Sequence, residues 1–311
     1  MTAPEPSPQP LHGWIILDKP VGLGSTQAVG AVKRALREAG LPKVKVGHGG
    51  TLDPLASGVL PIAVGEATKL AGRMLDSDKI YAFTIGFGVQ TDTLDREGAV
   101  IATSETRPTP AGIEAVLPRF TGAIEQAPPA YSAIKVDGAR AYDRARAGEQ
   151  VEMTRRTVTI HHLHLRHFRE CGNDDVGLEA VTLVAHVSKG TYIRSLARDI
   201  ALALGTVGHV TMLRRIKAGP FTLKDAISLD ILRDAAKARA IAQHMLPLTA
   251  GLDDIPALPV TPEQAKALKQ GRTLAGDPRR QGLMLATQGD MPVALVEALG
   301  PGIRVVRGFN L

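Results

Sequence analysis

The run "WIIL" (Trp14–Leu17) is apolar and rich in β-formers, and it gives way to the Gly/Pro-rich stretch "PVGLGS", so a strand is expected to deliver Asp18, Lys19 and Pro20 to its end. The period then changes. Val29, Val32 and Leu36 recur at helical spacing with Lys33, Arg34 and Arg37 on other faces; Ser25 or Thr26 offers a cap and Gly40 a stop, which predicts a helix. From Lys79 to Thr103 apolar and polar residues alternate around an Asp-Arg-Glu-Gly turn, as antiparallel strands do, and Pro110 marks the start of another helix. "VTIHHLHLRHF" and "VTLVAHVSKGTYIRS" read as two more strands. The second passes through a Lys-Gly turn into a helix that places Ile193, Leu196, Ile200 and Leu204 on one buried side. Near residue 256 the pattern restarts: Thr261 is an N-cap, Pro262 takes the first helical position, Gln264 completes a capping box and Gly271 lies past the end. The last forty residues, with turns at Gln288-Gly289-Asp290 and Gly300-Pro301-Gly302, are strand-like.

These elements predict an α+β protein: a mixed, mainly antiparallel sheet with flanking helices over residues 11–250, followed by a small β-rich domain over 256–311. Residues 124–152 change character, opening with Pro128-Pro129 and carrying several arginines, and are expected to form an inserted lobe; residues 1–10 read as a disordered tail. A length of 311 residues suits two domains. Lys and Arg outnumber Asp and Glu by 37 to 31, a net +6 that suits a polyanionic partner without demanding one. The single cysteine, Cys171, excludes an internal disulfide and a cysteine-rich zinc site. With no secretory pattern and no apolar run approaching the roughly 20 residues a membrane helix needs, a cytoplasmic protein is expected.

The candidate chemistry lies in "GHGGTLDPLASGVLPIAVGEATK", residues 47–69. Pro54 pushes Asp53 toward extended geometry, so its carboxylate stands on a loop, and Gly47, Gly49 and Gly50 clear side chains from the backbone just before it. A plain Asp-Pro turn is the bland alternative. The Lys-Ser/Thr ending of a phosphate-binding P-loop is missing. His162 and His164 share one face of a strand, but no acid or cysteine stands at a convincing ligand spacing, so no metal site is expected.

The 47–69 segment closely resembles the catalytic motif of the TruB family of tRNA pseudouridine synthases. "DKPVGLGS", "DSDKIYAFTIGFGVQTDTLD", "PPAYSAIKVDGARAYDRARAG", "SKGTYIRSLARDI" and "GHVTMLRR" follow in the family's order, over roughly residues 12–250. Two positions depart from the pattern: Gly49 where a threonine is expected, and Gly24 where a serine or threonine is. The resemblance implies an isomerase that converts the T-loop uridine of tRNA, position 55, to pseudouridine without cofactor or metal. Asp53 would be its one catalytic carboxylate, acting either as nucleophile on the sugar or as the base that takes a sugar proton, and a carboxylate suits both tasks. It further implies that Arg194 pairs with the acid, whose charge a closed site would otherwise disfavour. Tyr81 and Tyr192 would border the everted base, Leu213 would line the uracil pocket, and His48 would fill the T loop once its bases are flipped out.

An RNA hairpin loop is held by shape, phosphate contacts and stacked bases. Lys19, Lys69, Arg214 and Arg215 flank the matching motifs and Arg140, Arg144 and Arg146 lie in the inserted lobe; all seven are expected at the RNA backbone, with the lobe closing on the T-stem loop as a thumb. The C-terminal domain, by its position, is expected to be a PUA-like RNA-binding module. A monomer without guide RNA is expected, with tRNA-folding activity beside catalysis. The rival readings are an RNA chaperone without catalysis, a synthase for another RNA, and, more distantly, a metal-dependent hydrolase.

Overall fold

The computed structural model describes residues 9–132, 134–136, 138–149, 153–166, 177–277 and 279–311. The expected disordered tail and Cys171 thus lie outside the described residues, the tail apart from residues 9 and 10. In chain order the strands are β1 (Gly13–Lys19), β2 (Val46–His48), β3 (Ala56–Val64), β4 (Lys79–Phe87), the hairpin β5 (Val89–Thr91) and β6 (Val100–Thr103), β7 (Gly122–Gln126), the hairpin β8 (Lys135–Val136) and β9 (Ala139–Arg140), β10 (Arg156–Leu165), β11 (Ala180–Val187), β12 (Gly208–Ala218) and β13 (Phe221–Thr222). The C-terminal region adds β14 (Ala257–Pro259), β15 (Leu274–Ala275), β16 (Gly282–Gln288), β17 (Met291–Leu299) and β18 (Gly302–Gly308). The α-helices are α1 (Ser25–Glu38), α2 (Ala71–Asp76), α3 (Pro110–Val116), α4 (Ala141–Arg146), α5 (Ile193–Ala203), α6 (Leu229–Lys237) and α7 (Pro262–Lys269).

Nine strands form the main sheet in the order β1-β3-β12-β4-β11-β10-β7, with β2 added to β3 and β13 to β12. Every pairing is antiparallel except β3 with β12, so the α+β class with a mixed, mainly antiparallel sheet holds. The two-residue period of β1 shows how this sheet is covered: Ile15 and Leu17 pack with α1 and α6, whereas Trp14 and Ile16 enter a second core on the other face. A third core joins β4 and β11 to α3 and α5. Tyr81 of β4 and Leu213 of β12 touch both the first and the third core, and the candidate site opens at that junction.

Two sequence expectations shift in detail, and a third holds. Helix α1 is capped by Gly24, not by Ser25 or Thr26; its backbone N–H donates to Gln27 Oε1, and the Ser25 hydroxyl is engaged elsewhere. The segment 124–152 starts inside β7, a main-sheet strand paired with β10; after Gln126 its described elements are the β8–β9 hairpin and α4. In the C-terminal region, α7 has the expected Thr261–Gln264 capping box and packs on a five-stranded sheet ordered β14-β16-β17-β18-β15. That sheet contributes Leu285 and Leu295, together with Phe309 after β18, to the core around Trp14.

Candidate active site

Asp53 sits between β2 and β3 on a loop whose backbone is held by three polar side chains that are themselves buried. Ser25 Oγ accepts from Leu52 N at 2.8 Å and donates to Leu52 O at 2.9 Å. Lys19 Nζ donates to Leu23 O, Pro20 O and Pro54 O at 2.6, 2.9 and 3.3 Å. Arg215 donates to Val59 O at 2.7 Å, Gly50 O at 3.1 Å and Thr51 O at 3.2 Å. Gly50 has φ +137°, a conformation that a side chain would strain. A buried donor without an acceptor costs more than a hydrogen bond gains, so each of these contacts fixes the loop as firmly as the loop satisfies the side chain.

Lys19 and Arg215 are only 0% and 1% exposed, which corrects the expectation that they contact RNA phosphates: their charges face carbonyl oxygens inside the protein. Burial, with Arg215 adding to it and Asp53 opposing it, lowers the Lys19 pKa to about 8. Lys69 and Arg214 are engaged as well. Lys69 Nζ bonds Glu66 and Gly308 O at 2.7 and 2.8 Å, and Arg214 forks onto Asp18 at 2.7 and 3.0 Å. Of the lobe arginines, Arg144 reaches Glu149 at 2.6 Å, and the side chains of Arg140 and Arg146 fall outside the described residues.

The Asp53 carboxylate, 39% exposed, meets Arg194 Nη2 at 3.0 Å. Arg194 sits in the first turn of α5 with only 7% of its side chain exposed, donating through Nη1 to Thr93 O at 2.7 Å and through Nη2 to Tyr131 O at 3.0 Å. Asp95 stands 3.7 Å from Nη1. Its own Oδ1 accepts from Thr93 Oγ1 and Glu97 N at 2.6 and 3.0 Å, within a turn where Leu94 takes the left-handed φ of +62°. The guanidinium is therefore fixed from the β5–β6 connection and from the inserted lobe before it reaches Asp53.

These groups line a cavity of about 810 Å³ that also includes Tyr81, Tyr192, Leu213, Tyr131 and Tyr142. Tyr192 precedes α5, and its backbone is gripped from both sides by the fully buried Gln126, which donates to its carbonyl at 3.1 Å and accepts its N–H at 2.8 Å. The Arg156 guanidinium lies 5.1 Å from the centre of the Tyr192 ring. Asp53, Arg194, Tyr81, Tyr192 and Leu213 are thus brought together, whereas His48 is not among the cavity-lining residues. Its Nδ1 accepts from Gly50 N at 3.4 Å behind the loop, and burial followed by the Arg215 charge lowers its pKa.

Sequence reading missed Asp95, Gln126 and the pocket tyrosine Tyr131. Asp95 was in plain view in "TDTLD", but only the folded turn shows which carboxylate faces the arginine. The Gly49 departure has a structural counterpart: a Cβ there would lie 2.6 Å from Met74 Cβ, so α2 occupies the space a side chain would need.

With this geometry the likeness to known proteins is consistent. The TruB family pseudouridylate synthase N-terminal domain matches residues 33–193, and the tRNA pseudouridylate synthase B C-terminal domain matches 194–253. The chain is 61% identical over 306 residues to tRNA pseudouridine synthase B of Zymomonas mobilis, covering 98% of both proteins. It is 62% identical over 301 residues to the protein of that name from Novosphingobium aromaticivorans, covering 97% of this chain and 98% of the other. Among solved structures, an H/ACA ribonucleoprotein bound to a substrate RNA containing 2′-deoxyuridine aligns with a TM-score of 0.70 at 25% identity, over 96% of this chain and 85% of that one. A Cbf5–Nop10–Gar1 complex aligns with the same score at 26% identity and the same coverage. Matched along nearly its whole length, the chain belongs to the TruB family of pseudouridylate synthases.

Proposed function

We propose that this protein isomerises the T-loop uridine of tRNA, position 55, to pseudouridine, with Asp53 as its catalytic carboxylate. The observation that carries the reading is the Asp53–Arg194 pair at the wall of a cavity bordered by Tyr81, Tyr192 and Leu213. The reaction breaks the C1′–N1 bond, turns the uracil and joins C1′ to C5, whose proton leaves; N1 gains a proton, so there is no net redox change. Asp53 approaches the sugar either as nucleophile at C1′ or as base toward a sugar proton, while Arg194 fixes the orientation of its carboxylate. Tyr81 and Tyr192 offer ring faces to a base drawn out of its stack, and Leu213 supplies an apolar wall.

In this reading the inserted lobe, which already contributes Tyr131, Ser132 and Tyr142 to the cavity wall, closes on the T-stem loop. Phosphate contacts then fall to the lobe and not to Lys19, Lys69, Arg214 or Arg215, and the C-terminal sheet acts as a PUA-like module against the rest of the tRNA. The protein works as a monomer, without guide RNA, in the cytoplasm where tRNA is found. No helix among the described residues is long and apolar enough to cross a membrane.

Tritium release from a T-stem loop carrying C5-tritiated uridine tests the proposal directly. Asp53→Asn should lower the rate by about 10³-fold or more while binding of the RNA persists. Wild-type protein that binds the stem loop but releases no tritium would instead support a chaperone without catalysis.

A further inference from the structure

On the face of the main sheet turned away from the cavity, three side chains converge that the isomerisation does not use. Tyr81 and Val187 line the cavity, so the alternation of β4 and β11 turns Ile80 and its cross-strand partner His186 to the opposite face. Asp78, just before β4, lies on that side, with Oδ2 3.6 Å from His186 Nε2 and 3.1 Å from His161 Nε2.

His161 reaches the group through a fault in the ladder. Pairing of β10 with β11 passes from Ile160–Val187 directly to His162–His186, leaving His161 as the extra residue of a bulge. In a regular strand His161 would point opposite to His162; here both rings flank His186, with centroids 4.7 and 5.9 Å from it. We propose that Asp78, His161 and His186 bind a divalent transition-metal ion of the zinc class, tying the start of β4 to β10 and β11.

Nitrogen and oxygen ligands 2.0–2.2 Å from a tetrahedral ion lie about 3.3–3.6 Å apart, which the two measured separations bracket. All three ligand atoms lie within 4.8 Å of one another. His161 Nε2 is buried and has no hydrogen-bond partner despite its closeness to Asp78, as expected of a nitrogen whose lone pair is aimed at a shared point and not at the oxygen. Two imidazoles and one carboxylate form a donor set for zinc, cobalt or nickel, and three protein ligands leave a position for water. The sequence reading weighed only His162 and His164 on this strand and expected no metal site; only the bulge brings His161 to His186 and Asp78.

The test uses untagged, chelator-stripped full-length protein titrated with Zn²⁺ by calorimetry and with Co²⁺ by visible absorption. One equivalent of each, with the intense bands of four-coordinate cobalt, is expected, along with a thermal midpoint several degrees higher in zinc. His161→Asn, His186→Asn and Asp78→Asn should each abolish the bands and the thermal shift, while His164→Asn on the same strand should keep both. Asp78 is half exposed and precedes its strand, so its variant serves if a histidine variant fails to fold. No binding, binding that survives Asp78→Asn, or binding lost equally in His164→Asn would each overturn the proposal. Tritium release by stripped protein should match that of the zinc-loaded form, which separates this site from the Asp53 chemistry.

Discussion

Asp95 is the residue whose contribution can be read only from three dimensions. One of its oxygens is held by Thr93 and Glu97 and the other is turned toward Arg194, so it acts on Asp53 through the guanidinium and not by touching substrate. Asp95→Asn preserves the shape of the side chain and removes its charge. In steady-state tritium release we expect kcat to fall about 10²-fold with KM for the stem loop unchanged, the pattern of a positioning residue whose loss misdirects the reacting group. An unchanged kcat would leave Asp95 with a role in folding the turn only. Asp53 was singled out in sequence by the resemblance of residues 47–69 to the TruB motif, because the glycines and proline around it fit a plain Asp-Pro turn equally well. Lys19 and Arg215 were misread for an equally physical reason. A basic residue beside a catalytic motif looks the same in sequence whether it faces phosphate or the loop's own carbonyls, and the carbonyls it meets come from up to 165 residues away.

At the scale of elements, hydrophobic period placed the main strands and α5, and cap chemistry placed α7, because both signals are local. The bulges, the parallel β3–β12 pairing and the Gly24 cap of α1 were not legible, since each is decided by a partner strand or by Leu52, which captures the Ser25 hydroxyl. The meeting of the Asp53 loop and α2 gives a prediction of this kind. Restoring threonine at position 49 forces a Cβ against Met74, so Gly49→Thr alone should destabilise the protein by about 1–3 kcal/mol. Met74→Gly alone, which removes the Cβ as well as the rest of a side chain 3% exposed, should cost about 3–6 kcal/mol. Because the two changes compete for one volume, the double variant should be more stable than the sum of the single effects by at least about 1 kcal/mol in denaturant unfolding. Strict additivity would mean that the loop moves aside and that the departure at Gly49 is not compensated by α2.

For the whole molecule, the informative joint is the one between the main sheet and the C-terminal sheet, which no local pattern announced. Glu66 accepts from Lys69 Nζ at 2.7 Å and from Asn310 N at 2.8 Å, and Lys69 reaches on to Gly308 O. Partial burial would raise the Glu66 pKa, but the Lys69 hydrogen bond and charge and the Asn310 N–H outweigh it and hold the carboxyl below its ordinary value of 4.5. A folded-state pKa below the unfolded one makes the unfolded chain the stronger proton binder. The clip therefore contributes fully above about pH 4.5, and its contribution is lost as pH falls through the lower folded value. Both side chains are partly exposed, so the contribution should be about 0.5–1.5 kcal/mol. The one tryptophan, Trp14, reports on this joint because it is fully buried in the core that Leu285, Leu295 and Phe309 complete. Glu66→Gln should speed hydrogen exchange in β18 and shift Trp14 emission toward longer wavelength at neutral pH, and it should flatten the acid-dependent loss seen in the wild type. If β18 exchanges at the same rate in both proteins from pH 7 to pH 4, the apolar contacts alone hold the C-terminal sheet in place.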